Sequence, residues 1–129
     1  MYLLTVQEDQ AVVEASLGGR VDATEMRAFG EELAEILESL SNQSYYLLID
    51  HSKAKSLDRD AVAVLAWIKD TALETGAEKI VCIARDESDM VNHTTSRIQA
   101  VLEGREEYHL DSDVLNFPVW QTVALRRAA

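Results

Sequence analysis

Two short apolar runs, each preceded by an amphipathic segment, constrain the fold of this chain more than any other feature. Residues 45–50 read YYLLID, and residues 79–84 read KIVCIA. Runs of this length without polar alternation are typical of strands that are buried on both faces of a sheet. With a helix between them, they predict parallel strands joined by a right-handed crossover.

The segments that precede these runs have helical periodicity. Apolar residues recur every three or four positions across residues 26–40, and either Asp22 or Thr24 is placed to cap that helix. A second, mainly apolar stripe over residues 62–73 predicts another helix, and Gly76 is placed to end it. The central part of the chain therefore alternates helix and strand.

The amino-terminal part has the pattern of a hairpin. Residues 2–6 and 11–17 are β-rich, and the polar residues 7–10 between them predict the turn. Gly18 and Gly19 are expected to end the second strand, because glycine adopts backbone angles that other residues avoid.

Further elements are expected after the second apolar run. A third helix is predicted within residues 86–103, with a candidate break at residues 93–96, and a short edge strand is predicted at residues 107–110. Residues 116–118 resemble the start of a terminal helix, which the acids of residues 111–113 are placed to cap.

Length and composition fit a single domain spanning residues 1–129. The 129 residues, 47% of them hydrophobic and 27% charged, suffice for one core but not for two. The predicted fold class is α/β, a sandwich in which a mixed, mostly parallel β-sheet of four to five strands carries helices mainly on one face.

The negative charge of the chain makes two classes of partner unfavourable. A formal net charge of −11 argues against nucleic acid and anionic membrane surfaces as partners, because both are bound through Lys and Arg. No apolar run approaches the roughly 20 residues of a membrane span. The single cysteine, Cys82, excludes an internal disulfide, and no secretory signal is evident, so a bacterial-type cytoplasmic location is expected.

A search for catalytic or metal-binding motifs is negative. His51, His93 and His109 lack the close spacing of metal ligands, and Cys82 lies inside a predicted buried strand. The histidines are therefore expected to be exposed or partly buried, and no metal or cofactor is predicted.

The sequence also lacks a nucleophile elbow and a glycine-rich phosphate loop, which favours a non-enzymatic protein. An enzyme built from Asp50, His51 and Asp58 is disfavoured, because neighbours in a loop need not be aligned for proton transfer.

The best candidate site is the segment that joins the first apolar run to the second helix. The strand ends at Asp50, a loop is predicted over residues 51–57, and Asp58-Arg59-Asp60 opens the helix. Binding surfaces of parallel sheets collect at the carboxyl ends of strands, where this segment lies. The alternative is structural, since acids in a first helical turn cap N–H groups and complement the helix dipole.

This segment resembles the STAS family of sulfate transporters and anti-sigma factor antagonists. The family has a strand ending in Asp, a loop, an Asp-Ser-Ser-Gly tetrad that opens a helix, and a closing Gly. Asp50, Asp58 and Gly76 match these positions, with Asp58 eight residues after Asp50. The segment LGGRVDATEM at residues 17–26 resembles the family's Gly-x-Leu-Asp segment, and GAEKIVCIA resembles the strand that follows its second helix.

The resemblance implies a docking domain for an anti-sigma factor or kinase-like regulator. In the family, such a partner binds the loop and helix start and phosphorylates the second serine of the tetrad. Here the tetrad reads Asp58-Arg59-Asp60-Ala61, so Asp60 replaces that serine and Ser56 is a nearby hydroxyl. An aspartate accepts no serine phosphate and carries one charge, whereas phosphoserine carries about −1.5 to −2. The residues predicted to bind the partner are Asp22, Ser56, Asp58, Arg59, Asp60 and Ala61.

Two further possibilities remain open at this stage. The aromatic residues Trp67, Tyr108, Phe117 and Trp120 are candidates to line a pocket for a small apolar ligand or lipid, although core packing is the favoured interpretation. Self-association into a homodimer is the other.

Overall fold

The computed structural model describes residues 1–7 and 11–110, except for the side chain of Ser56. Nine elements follow one another along this part of the chain: β1 (Tyr2–Gln7), β2 (Val12–Arg20), α1 (Ala23–Ser39), β3 (Tyr45–Ser56), α2 (Arg59–Thr75), β4 (Ala77–Ala84), α3 (Glu87–Ser96), α4 (Ile98–Leu102) and β5 (Glu106–Leu110).

The strands form one five-stranded sheet whose spatial order equals their order in the chain. β1 pairs with β2 in antiparallel fashion, whereas β2–β3, β3–β4 and β4–β5 are parallel. The central position of β3 explains its apolar run, since a central strand is covered on both faces. The predicted mixed, mostly parallel α/β sheet is confirmed.

The main core lies between the sheet and the helices on one of its faces. Leu33 and Leu37 of α1 and Leu65 of α2 are fully buried against Leu47 and Ile49 of β3. A smaller apolar cluster of Val12, Leu48 and Val81, with Tyr46 packed against it, lies apart from this core. Side chains along a strand alternate between faces, so Leu47 and Leu48 belong to different sides of the sheet.

The predicted caps fix the ends of both long helices. Asp22 accepts the N–H of Glu25 at 2.7 Å at the start of α1. Gly76 ends α2 with φ at +111°, and a Cβ there would lie 2.8 Å from the carbonyl oxygen of Gln43. The backbone angle and the close approach both favour glycine at this position.

Two predicted strand ends are wrong. β2 does not stop at the glycines but continues to Arg20, with Gly19 at a φ of +66° and register shifts on both sides of Gly18 and Gly19. β3 likewise continues past Asp50 to Ser56, because residues 53–56 pair with the end of β2. Most of the predicted loop at residues 51–57 is therefore strand.

The last described elements agree with expectation except in detail. The break in the third helical segment falls at Arg97, directly after residues 93–96, which end α3. β5 begins at Glu106, one residue earlier than predicted. Residues 111–113 and 116–118 lie outside the described residues. Within the described ranges, no helix has the length and apolar character needed to cross a bilayer.

Candidate functional site

A groove of about 310 Å³ lies between the amino-terminal halves of α1 and α2. We call it the helix-start groove. Its lining residues come from both helices and from the turn before α1: Val21, Asp22, Ala23, Met26, Arg27, Gly30, Glu31, Asp58, Asp60, Ala61, Val64 and Trp67. It therefore combines the two segments that the sequence singled out separately, around Asp22 and around Asp58.

The two aspartates that line the helix-start groove at the helix starts also cap those helices. Asp58 accepts the N–H of Ala61 at 2.8 Å, as Asp22 does for Glu25 at the start of α1. Asp60 follows in the first turn of α2, where its side chain is exposed. The groove is lined by four acidic side chains and one basic one, so it presents negative charge to a partner.

The floor of the helix-start groove is apolar, and its depth depends on a glycine. Trp67 of α2 is 49% exposed. A Cβ built on Gly30 would lie 2.9 Å from Val64 Cγ1 and 3.4 Å from Trp67 Cζ3. The missing side chain lets α2 approach α1 closely and leaves the indole beside the cleft.

Four of the six predicted binding residues meet in the helix-start groove, namely Asp22, Asp58, Asp60 and Ala61. Arg59 is exposed at the first position of α2 and is not among the groove residues. The side chain of Ser56 lies outside the described part. The sequence therefore predicted binding residues at two separate helix starts. It did not predict that α1 and α2 place these two helix starts side by side.

Asp50, His51 and Asp58 do not form a catalytic group. Asp50 accepts hydrogen bonds from the Ser52 amide at 2.9 Å and from the Ser52 hydroxyl at 2.6 Å. His51, its neighbour in β3, points to the other face of the sheet, while Asp58 caps α2. The three side chains therefore have different partners: Ser52 for Asp50, Asp89 for His51 and the Ala61 N–H for Asp58.

The expectation that the histidines are exposed or partly buried is wrong, since His51, His93 and His109 are 0%, 5% and 5% exposed. Asp89, four residues before His93 on α3, contacts two of them. Its Oδ2 lies 3.2 Å from His51 Nδ1, and its Oδ1 lies 3.3 Å from His93 Nε2. Asp89 and His93 are four residues apart, a spacing that places two side chains on one face of a helix and could have indicated this contact. A search for pairs of histidines alone misses it.

The surroundings shift the pKa values of Asp89 and His93 in this cluster. Burial alone would raise the pKa of Asp89, but His51, the Arg85 N–H and the charge of His93 outweigh it and lower that pKa. Burial, with Lys69 and His51 adding to it, lowers the pKa of His93 to about 4 against the opposing effect of Asp89. At neutral pH the cluster therefore contains an ionised Asp89 and a neutral His93.

A second buried polar group lies under α2 and α3. Lys69, 1% exposed, donates from Nζ to the Tyr108 hydroxyl at 2.8 Å. That hydroxyl donates to Glu106 Oε1 at 2.8 Å, and Arg97 contacts both oxygens of Glu106. Burial, together with the negative charge of Glu106, raises the pKa of Tyr108.

The two described aromatic residues that were candidates to line one apolar pocket do not share a pocket. Trp67 lines the helix-start groove, whereas Tyr108 lines a different cavity beside α3. Core packing, the favoured interpretation, holds for Tyr108 at 8% exposure but not for Trp67. Phe117 and Trp120 lie outside the described residues.

Comparison with known proteins establishes the fold. No family model matches the sequence, and no curated protein matches it. Among solved structures, one similar chain is a candidate anti-sigma factor antagonist from Thermotoga maritima, with a TM-score of 0.63 and 13% identity, covering 89% of this chain and 92% of that one. Another is an anti-sigma factor antagonist from Mycobacterium paratuberculosis, with a TM-score of 0.58 and 15% identity, covering 98% and 95%. The chain thus has the STAS-like α/β fold that the sequence resemblance implied.

Proposed function

We propose that this chain is a non-enzymatic protein-interaction module of the anti-sigma factor antagonist kind, and that its partner docks in the helix-start groove. The observation that carries the proposal is the convergence of Asp22, Asp58 and Asp60 around the apolar floor at Trp67. Both structural neighbours are named as anti-sigma factor antagonists, and they cover almost the whole chain.

The chemistry of the helix-start groove indicates what the partner presents. An acidic rim above an apolar floor fits a segment that carries Lys or Arg beside one large apolar side chain. A half-exposed tryptophan is a common binding anchor, because it supplies large contact area at low entropic cost. An anti-sigma factor or kinase-like regulator with such a segment is the expected partner.

Asp60 makes this module differ from the phosphorylated members of the family that it resembles. It lies in the exposed first turn of α2, at the position where the resemblance implies the regulated serine. Its carboxylate accepts no phosphoryl group from a serine kinase, and it carries one negative charge where phosphoserine carries about −1.5 to −2. We infer that phosphorylation at this position does not switch the module.

The first experiment measures partner binding. The chain is used as bait in lysate of its native host at low salt, and the protein recovered is then purified and titrated with variants. D60A and W67A are expected to weaken binding by about tenfold or more, the range of interface anchors, whereas R59A removes an exposed cation that does not line the groove and should not weaken it. L102A, which removes an exposed apolar side chain from α4, is the matched control and should bind as wild type. Equal affinity of all four variants would contradict the proposed surface.

The second experiment restores the implied switch. If the partner is a kinase, D60S should become phosphorylated in the presence of ATP and should then be released, whereas the wild-type complex persists. ATP-dependent release of the wild-type chain would show that residue 60 is not the controlling position. Mass spectrometry of the α2 peptide distinguishes that outcome from phosphorylation at Ser56.

A further inference from the structure

We propose that His51, Asp89 and His93 form a binding site for a divalent transition-metal ion, with zinc as the ion that best fits the geometry. The site joins the middle of β3, at His51, to α3, which carries Asp89 and His93. It is separate from the helix-start groove and does not depend on the function proposed for that groove.

Each histidine of the cluster lies near one oxygen of Asp89 at a distance typical of two ligands on one ion. Zinc–nitrogen and zinc–oxygen bonds of about 2.0–2.1 Å place neighbouring tetrahedral ligands about 3.3–3.4 Å apart. Asp89 Oδ2 lies 3.2 Å from His51 Nδ1, and Asp89 Oδ1 lies 3.3 Å from His93 Nε2. When each residue offers a single ligand atom, the three atoms lie within 4.8 Å of one another. A decrease of at most about 1.4 Å in the distances between these ligand atoms would therefore bring all three within bonding distance of one ion.

The buried ring of His51, which makes no hydrogen bond, is the second observation that supports the metal site. This side chain is fully buried, yet neither of its ring nitrogens has a hydrogen-bond partner among the described residues. Nδ1 approaches the Asp89 carboxylate without hydrogen-bond geometry. A buried polar group without a partner is costly, and a metal ion between the two side chains would satisfy Nδ1 and the carboxylate together.

The positive charge beside the cluster has its own buried counterion. Lys69 donates to the Tyr108 hydroxyl at 2.8 Å, and that hydroxyl donates to Glu106 at 2.8 Å. The ring of Tyr108 stacks on that of His93 with centroids 5.8 Å apart, so this group of side chains borders the cluster. Glu106 therefore offsets the ammonium charge that would otherwise oppose a bound cation.

The site is also reachable from solvent. A cavity of about 300 Å³, lined in part by Asp86, Ser88, Asp89, Asn92 and His93, opens beside the cluster. Three protein ligands leave one tetrahedral position for water, and the cavity provides room for it. Two imidazoles and one carboxylate favour zinc and its first-row neighbours over magnesium or calcium, which prefer oxygen ligands.

The test uses the full chain without a histidine tag, freed of metal by chelation. Zinc is titrated by calorimetry, and cobalt is titrated with visible absorption as the readout, both with excess magnesium to occupy surface carboxylates. We expect one ion per chain, the intense absorption of tetrahedral cobalt, and a higher melting temperature with zinc, since a ligand that binds the folded state stabilises it.

The variants H93N and H51N should each weaken zinc binding at least about tenfold, since even loss of supporting residues around a metal has that effect. H93Q is a second form of the first variant in case H93N folds poorly, and circular dichroism checks the fold of each. H109N is the matched control, because His109 is also buried and also contacts a carboxylate, that of Glu107, but lies outside the cluster. Absence of stoichiometric zinc binding by the wild-type chain, or binding that H93N and H51N retain, would overturn the site.

Discussion

Gly30 of α1 and Val64 of α2 approach so closely that a Cβ on Gly30 would lie 2.9 Å from Val64 Cγ1. An alanine in a helix interior ordinarily stabilises by about 0.8–1.0 kcal/mol relative to glycine. Overpacking at a helix contact costs about 1–3 kcal/mol. We therefore expect G30A to lower the free energy of unfolding by about 1 kcal/mol, as measured by urea denaturation.

A double-mutant cycle tests the cause. V64A removes the atom that the new methyl group would meet, so G30A introduced into a V64A background should be neutral or stabilising. If G30A stabilises the wild-type chain by about the helix-propensity difference, α1 and α2 separate without cost and the close contact does not constrain the helix-start groove.

Glu106 is expected to be the most sensitive polar residue of the core. It is 1% exposed and accepts hydrogen bonds from Arg97 and Tyr108. E106Q should lower the free energy of unfolding by roughly 3–5 kcal/mol, because it leaves the charges of Arg97 and Lys69 without their buried counterion. Chemical denaturation measures the loss.

Asp70 provides the matched control for that variant. It pairs with the same Arg97 at 2.7 Å, but its side chain is 58% exposed. D70N should therefore cost less than about 1 kcal/mol. Equal losses for D70N and E106Q would mean that burial does not decide the strength of these pairs.

The order and type of the described elements were predictable because they follow from local patterns. Helical periodicity predicted the stripe over residues 62–73, whereas core packing of Trp67 was predicted from its aromatic character alone and is wrong, since the indole is 49% exposed. The caps at Asp22 and Asp58 were predictable for a similar reason, since an N-cap interaction joins residues three apart.

The features that sequence reasoning missed depend on contacts between distant segments. Residues 51–56 are too polar to read as a strand, and they are extended because β2 continues beside them through its two glycines. His51 and His93 meet because α3, which packs on β4 and β5, carries the His93 ring to 4.9 Å from the His51 ring in β3. Lys69 lies in an apolar stripe, and its burial depends on Tyr108 and Glu106, which belong to the distant β5.

Cys82 should be unreactive in the folded protein. It is fully buried in β4, and burial raises the pKa of its thiol to about 11 against the opposing charge of Lys69. Because the thiolate is the reactive form, modification by a disulfide reagent should await unfolding, after which the single cysteine reacts. E103C adds an exposed thiol as the control and should react at once. Equal native rates for Cys82 and the added thiol would show that β4 opens readily.

Glu107 should contribute stability that depends on pH. Burial would raise the pKa of its carboxyl, but Lys79 at 2.7 Å and His109 at 3.0 Å outweigh burial and lower it. A carboxyl with a lowered folded-state pKa stabilises the fold above its unfolded-state value of about 4.3, and this contribution disappears as the pH falls through the folded-state value. The difference in unfolding free energy between wild type and E107Q should thus be larger at about pH 7 than at about pH 3, while the exposed control E103Q shows little difference at either pH. A difference for E107Q that stays constant across this range would show that packing, and not the ionised carboxylate, accounts for the effect.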